Sequence, residues 1–123
     1  MGDAAAIVAI VDDDESVRRA LHRLVASLAF RPTGFASGEE FLSSLGDNRL
    51  SCALLDLNMP GMNGLEVLKQ MRAWGSDIPV IVITGFDQPG MRERCLTAGA
   101  AAYLIKPLEG SDLSRELELV LPG

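Results

Sequence analysis

Five reactive side chains each stand at the end of an apolar run in this sequence or within two residues after it. They are Asp12, Asp13, Asp56, Thr84 and Lys106. Taken singly, each has a structural explanation, because acidic and hydroxyl side chains commonly cap helices or begin turns. Taken together, carboxylates, a hydroxyl group and an ammonium group at equivalent points of four runs are not explained by capping alone. The pattern therefore indicates one site.

The chemistry open to such a site follows from its charge. Asp12, Asp13 and Asp56 would carry three negative charges close together, and Lys106 alone cannot balance them. A cluster of oxygen ligands without His or Cys favours a hard cation, and a partly open cluster suits Mg²⁺. A carboxylate beside Mg²⁺, with a lysine and a hydroxyl group opposite, can attack phosphorus as a nucleophile. The residues thus predict phosphoryl transfer to an aspartate.

Alternating strands and helices are predicted as the elements that position these groups. Apolar runs predict strands at 7–11, 32–36, 52–55, 80–84 and 101–105. An apolar stripe with helical spacing follows each run. This alternation is typical of parallel strands with helices on both faces, joined by right-handed crossovers. We therefore expect a three-layer α/β domain with its site beyond the carboxyl ends of the strands.

Local sequence also predicts where several helices begin. Asp14 is expected to cap the first helix, and Ser111 is expected to cap the fifth. Asp87 is expected to cap the fourth helix, with Pro89 and Gly90 in its first turn. A glycine inside a helix lowers its stability by about 1 kcal/mol relative to alanine. The fourth helix is therefore predicted to be the least stable one and a candidate switching element.

Length and composition narrow the classes of function. A chain of 123 residues is expected to form one domain. Its net charge of −6 argues against direct binding of nucleic acid by this chain, because it repels phosphate backbones. The longest apolar run, 4–11, is too short to cross a membrane and has no basic flank, so we expect a cytoplasmic protein. Cys52 and Cys95 are expected to be buried free thiols.

Four motifs, in this order and spacing, resemble those of the receiver domain of two-component response regulators. They are Val11-Asp12-Asp13-Asp14, Leu55-Asp56-Leu57-Asn58-Met59-Pro60-Gly61-Met62-Asn63-Gly64, Ile83-Thr84-Gly85 and Lys106-Pro107. The resemblance covers essentially the whole chain, and the Thr-Gly step is most similar to the FixJ-like group. It implies a single receiver domain at 1–123. It also implies a flavodoxin-like three-layer sandwich of five helices around a five-stranded parallel sheet in the order 2-1-3-4-5.

The resemblance assigns roles to the acidic residues. Asp56 would be the phosphoacceptor. Asp13 would bind Mg²⁺ directly and Asp12 through water or weakly, with Asp56 and the backbone carbonyl of Asn58 completing the protein ligands.

The remaining roles that the resemblance implies concern the phosphoryl group and the switch. Thr84 would hydrogen-bond to the phosphoryl group, and Lys106 would pair with one of its oxygens, before a cis peptide bond to Pro107. Tyr103 matches an aromatic switch position whose ring moves inward as Thr84 moves toward the phosphoryl group.

The function implied is that of a phosphorylated signalling protein rather than an enzyme. It would take a phosphoryl group from a sensor histidine kinase, and catalyse only its own phosphorylation and dephosphorylation. The face formed by the fourth helix, fifth strand and fifth helix would then change and promote a homodimer or the docking of a partner. FixJ-like receivers usually continue into a DNA-binding domain, and the sequence, which ends at Gly123, leaves open whether this one does.

Three other classes of function compete with this interpretation. A phosphorylation-independent docking module of the same fold would not need the complete set of site residues. A flavodoxin-like binder of small molecules would need a phosphate-binding loop after the first strand, where this chain has three carboxylates. A phosphohydrolase with an aspartyl-phosphate intermediate typically needs a second Asp two residues after the nucleophile, and Asn58 stands there.

Overall fold

The computed structural model describes residues 5–46 and 49–121, which form strands and helices in strict alternation. Ala4, at the start of the longest apolar run, and Pro122-Gly123, at the end of the sequence, lie outside the described residues. The elements are β1 (Ile7–Val11), α1 (Glu15–Ser27), β2 (Arg31–Phe35), α2 (Gly38–Ser44), β3 (Cys52–Asp56), α3 (Gly64–Ala73), β4 (Val80–Thr84), α4 (Met91–Thr97), β5 (Ala102–Ile105) and α5 (Gly110–Val120). Within these ranges, no helix has both the length and the apolar character needed to cross a membrane.

One parallel sheet organises the molecule, with its strands in the order β2-β1-β3-β4-β5. The predicted fold class and strand order are confirmed. β3 and β4 are buried along their whole length, as expected of central strands covered on both faces. β2 lies at an edge of the sheet and contains Pro32. A proline has no backbone N–H group to donate, so it is tolerated in an edge strand, which bonds on one side only, and not in a central strand.

Two apolar layers hold the helices against the sheet. α1 and α5 pack on one face through Leu21, Val25, Leu113 and Leu117. α2, α3 and α4 pack on the other face, around Phe41, Leu68, Met71 and Cys95. Cys52 and Cys95 are buried and free, as predicted. The layers leave the two ends of the strands as the places where polar side chains can gather.

The helix starts show where local sequence succeeds and where it fails. Asp14 caps α1, because its carboxylate accepts hydrogen bonds from two backbone N–H groups of the first turn. The prediction for α5 was wrong. That helix begins at Gly110 with Glu109 at the N-cap, so Ser111 lies inside the first turn.

The predicted cap of α4, and the placement of Pro89 and Gly90 in its first turn, were also wrong. Gly90 lies at the N-cap, before the helix, with a φ of 81° that glycine adopts without strain. The penalty for a glycine inside a helix therefore does not apply, and Pro89 precedes the helix too. Asp87 does not cap α4, because its carboxylate accepts a hydrogen bond from Tyr103 instead. No side chain of the described residues makes a capping hydrogen bond at this helix start.

Arg72, near the end of α3, fastens three segments at the amino edge of the sheet. Its Nη1 donates to the carbonyl oxygens of Ser76 at 2.8 Å and Ile78 at 3.1 Å. Its Nη2 donates to the carbonyl oxygen of Gly99, just beyond α4, at 2.8 Å. The end of α3, the approach to β4 and the end of α4 are thus held by one guanidinium group.

Gly64 sets how closely α3 approaches the end of β3. Its N–H donates to the carbonyl oxygen of Leu57 at 3.0 Å. A Cβ atom added at Gly64 would lie 2.5 Å from the carbonyl oxygen of Asp56 and 2.8 Å from the Cα atom of Leu57. Both neighbours are backbone atoms, so neither can move without moving the end of β3.

We expect Gly64→Ala to lower the free energy of unfolding by about 1–3 kcal/mol, because the added methyl group overpacks this contact. The matched control is Gly46→Ala, where an added Cβ meets no atom within 4 Å. Urea denaturation of both variants checks the prediction. Equal stabilities for the two variants would contradict the close approach at Gly64.

Candidate functional site

The carboxyl ends of four strands bring the predicted site residues to one edge of the sheet. Asp56 and Thr84 end β3 and β4, while Asp12 and Lys106 directly follow β1 and β5. One carboxylate oxygen from each of Asp12, Asp13 and Asp56 can be chosen so that all lie within 4.8 Å of one another. The sheet thus gathers the residues that the sequence singled out.

Lys106 bridges two of the carboxylates. Its Nζ lies 3.1 Å from Oδ2 of Asp12 and 3.6 Å from Oδ1 of Asp56. Asp12 and Asp56 are only 2% and 6% exposed, so their charges are shielded little by water. Asp13, in contrast, is exposed.

Burial is the main influence on the acidity of Asp56. It raises the pKa of that carboxyl group to about 6, from 3.8, and repulsion from Asp12 adds to the effect. Lys106 and a hydrogen bond from the backbone N–H of Asn58 act in the opposite direction. The carboxylate is thus held charged at neutral pH against a considerable penalty, which a bound cation would relieve.

The donor set fits a small divalent cation. All three side chains offer carboxylate oxygens, the ligands that Mg²⁺ prefers, and exposed Asp13 gives access from solvent. The side chains line a shallow depression of about 300 Å³ together with Asn58, Phe86 and Lys106. Most of the residues that line it are polar, and Phe86, which is 64% exposed, is the aromatic one.

Comparison with known proteins decides the family. The family model described as "Response regulator receiver domain" matches residues 8–118. The chain belongs to this family.

Individual relatives of this receiver agree with that assignment. It is 37% identical over 113 residues to the response regulator protein TmoT of Ectopseudomonas mendocina, covering 92% of this chain and 51% of TmoT. The crystal structure of FixJ-N superposes with a TM-score of 0.86 at 35% identity, over 96% of this chain and 93% of FixJ-N. A receiver protein from Burkholderia phymatum gives a TM-score of 0.82 at 43% identity, over 94% of both chains. The chain spans about half the length of the curated relatives that it matches.

Thr84 of this receiver is fully buried and its hydroxyl group is heavily engaged. Oγ1 accepts hydrogen bonds from Nδ2 of Asn58 at 2.9 Å and from the backbone N–H of Phe86 at 3.0 Å. It donates to the carbonyl oxygen of Phe86 at 3.2 Å. The sequence assigned only the backbone carbonyl of Asn58 to the site, so the contact of its side chain was missed.

Tyr103 already lies inward, with 4% of its surface exposed. Its hydroxyl group donates to Oδ1 of Asp87 at 2.7 Å, and its carbonyl oxygen accepts from Nη1 of Arg92 at 3.3 Å. Burial, then the hydrogen bond to Asp87, raise the pKa of Tyr103 well above its usual range. The peptide bond between Lys106 and Pro107 is cis, as the resemblance implied.

Arg18 makes a contact with the backbone of a site residue that sequence analysis missed. Its Nη1 donates to the backbone carbonyl oxygen of Asp12 at 2.8 Å and so ties α1 to the residue that follows β1. Arg19 and Arg23 on the same helix are exposed, and no local signal separates Arg18 from them. Only its position opposite the end of β1 could have identified it.

The raised pKa of Asp56 predicts a pH-dependent gain in stability for Asp56→Asn. The folded state holds this proton more tightly than the unfolded state, so the wild-type protein loses stability as pH rises from about 4 through about 6. Without metal, the variant should be more stable by up to about 3 kcal/mol at pH 7.5, and the gain should vanish near pH 4. Urea denaturation with EDTA at both pH values measures it.

The control for this prediction is Asp77→Asn, at an exposed position away from the cluster. It should leave the free energy of unfolding within about 0.5 kcal/mol of wild type at both pH values. An equal gain for Asp56→Asn at pH 4 and pH 7.5 would trace the gain to packing and not to charge.

Proposed function

We propose that residues 1–123 act as one receiver domain that accepts a phosphoryl group on Asp56 from the phosphohistidine of a sensor histidine kinase, in the cytoplasm. The observation that carries this proposal is the placement of a buried, charged carboxylate within reach of Lys106 and two further carboxylates, in the lining of an open depression. A nucleophile, a cation and a path from solvent are present together.

The transfer is a displacement at phosphorus. An Oδ atom of Asp56 attacks and a P–O bond forms. The P–N bond to a histidine ring that is protonated on its other nitrogen breaks, and its electron pair stays on the ring, which leaves as the neutral imidazole while Asp56 becomes an acyl phosphate. With a pKa of about 6, Asp56 is mostly deprotonated at pH 7.5, so its lone pairs are available. Lys106 would shift from Asp12 and Asp56 to an oxygen of the phosphoryl group, and the Thr84 hydroxyl group would donate to another.

The residues proposed to hold Mg²⁺ are Asp12, Asp13, Asp56 and the backbone carbonyl of Asn58. When bound, the ion would neutralise charge on the phosphoryl oxygens. Asp12 and Asp13 would thus contribute to Mg²⁺ binding through the negative charges of their carboxylates. The same residues would act in dephosphorylation of Asp56, and no reaction on a separate substrate is proposed.

The proposed function is tested by intact mass after incubation with acetyl phosphate and Mg²⁺. We expect a gain of about 80 Da, which corresponds to one phosphoryl group. The gain should not appear when EDTA is present during the incubation, nor in Asp56→Ala. Asp77→Ala, which removes an exposed carboxylate elsewhere, should gain the same mass as wild type. A wild-type protein that gains no mass would favour the phosphorylation-independent docking module.

We further propose that phosphorylation changes the face formed by α4, β5 and α5. Three features support this: Thr84 begins the segment that leads into α4, Tyr103 of β5 is tied to that segment through Asp87, and α4 lacks a side-chain cap among the described residues. Large apolar side chains are exposed on these elements, at Leu96, Ile105 and Leu119. They suit a homodimer or a partner protein.

This receiver is proposed to leave contact with DNA to a separate domain. The net charge of −6 disfavours binding of a phosphate backbone by this chain. In a longer protein with a C-terminal DNA-binding domain, formation of the homodimer would bring two copies of that domain together.

Hydrogen exchange with and without beryllofluoride and Mg²⁺ tests the switch. We expect the largest change in protection in residues 86–98 and in β5 and α5, because the phosphoryl mimic engages Thr84 at the start of this region. Asp56→Asn with beryllofluoride serves as the control and should show no change. Changes concentrated in α1 and α2, with 86–98 unaffected, would contradict the assignment.

A further inference from the structure

The side chain of Asn58 lies against the hydroxyl group of Thr84, across 26 residues of sequence. Its Nδ2 and the backbone N–H of Phe86 both donate to Oγ1, at 2.9 and 3.0 Å. A hydroxyl group has two lone pairs and one hydrogen. Both lone pairs of Thr84 are therefore taken by nitrogen donors, and any new partner of this oxygen has to accept its hydrogen.

The hydrogen of the Thr84 hydroxyl group has the weakest of the three bonds. Its acceptor, the carbonyl oxygen of Phe86, is 3.2 Å from Oγ1, beyond the usual range of 2.5–3.0 Å for an O–H···O bond. Phe86 is largely exposed, so water can satisfy its carbonyl oxygen when the hydroxyl group leaves. This bond should therefore yield first when a better acceptor arrives.

We propose that Asn58 is a positioning residue that holds the Thr84 hydroxyl group as a hydrogen-bond donor toward the phosphoryl group. The proposal rests on phosphorylation of Asp56, as proposed above. The oxygens of an acyl phosphate are anionic and only accept, so a lone pair of Thr84 turned toward them would be repelled. With Asn58 and Phe86 on its lone pairs, Thr84 presents its hydrogen. The two N–H donors also polarise the O–H bond and make it a stronger donor.

This role is separate from the one proposed for the backbone of Asn58. The backbone carbonyl is a candidate metal ligand, and any residue at position 58 would supply that carbonyl, whatever its side chain. The side chain acts only through Thr84, so its effect should depend on the Thr84 hydroxyl group.

A double-mutant cycle tests this dependence, with affinity for beryllofluoride at saturating Mg²⁺ as the readout. Asn58→Leu removes the donor at similar size, at an exposed position where folding is expected to persist. It should weaken binding about fivefold, the value of one net hydrogen bond. In a Thr84→Ala background the same substitution should change affinity by less than about twofold, because the group it positions is gone.

Two controls complete the experiment. Thr84→Ser keeps the hydroxyl group, so Asn58→Leu should again cause about a fivefold loss in that background. Gln88→Leu removes an exposed amide from the segment that leads into α4 and should leave affinity unchanged.

Three outcomes would overturn the proposal. Equal losses with and without the Thr84 hydroxyl group would show that Asn58 acts independently of Thr84. Full affinity in Asn58→Leu, beside a wild type that binds beryllofluoride, would overturn the positioning role alone. Failure of the wild type to bind beryllofluoride, and to gain mass with acetyl phosphate, would overturn the proposed function as well.

Discussion

The ammonium group of Lys106 is the contact on which the candidate site depends, because it holds two buried carboxylates at one edge of the sheet. Neighbouring strands lie about 4.8 Å apart, so Lys106, which follows β5, has to reach across β4 to Asp56 and across both β4 and β3 to Asp12. The residues at the end of β4 make this reach possible because they are small. A Cβ atom added at Gly85 would lie 3.7 Å from Cδ of Lys106, so the lysine stem passes directly over that glycine. A larger side chain there would meet the stem.

Much of this arrangement could be predicted from the sequence. The apolar runs of β1, β3 and β4 are long enough to identify buried parallel strands, and the parallel topology then brings their carboxyl ends together. The meeting of Asp12 and Asp56 follows from topology and needs no knowledge of side-chain conformation. The cap of α1 was equally accessible, because Asp14 bonds to residues only two and three positions away.

What could not be predicted are the contacts in which one side chain chooses among distant partners. Asp87 has the right residue type and position for a helix cap, but its carboxylate is used by Tyr103, 16 residues away. The amide of Asn58 meets Thr84 only because β3 and β4 are neighbours with a particular register. Gly90 was misplaced for a related reason, since its left-handed backbone conformation depends on where the segment must enter α4.

The guanidinium group of Arg72 holds the C-terminal end of α4 in place. Its bond to Gly99, at 2.8 Å, secures the chain just beyond the last turn of the helix, while the first turn follows an exposed segment and is tied to β5 by the longer bond from Arg92 to Tyr103, at 3.3 Å. The switch proposed for this face would therefore act on the first turn. Seven residues of helix span about 10 Å, so a displacement of about 1 Å at the first turn would rotate the axis by only about 6°. Met91 and Arg92 would then travel farthest, and Leu96, nearer the pivot, would hardly move. A partner that senses the first turn of α4 would therefore receive a larger signal than one bound at its last turn.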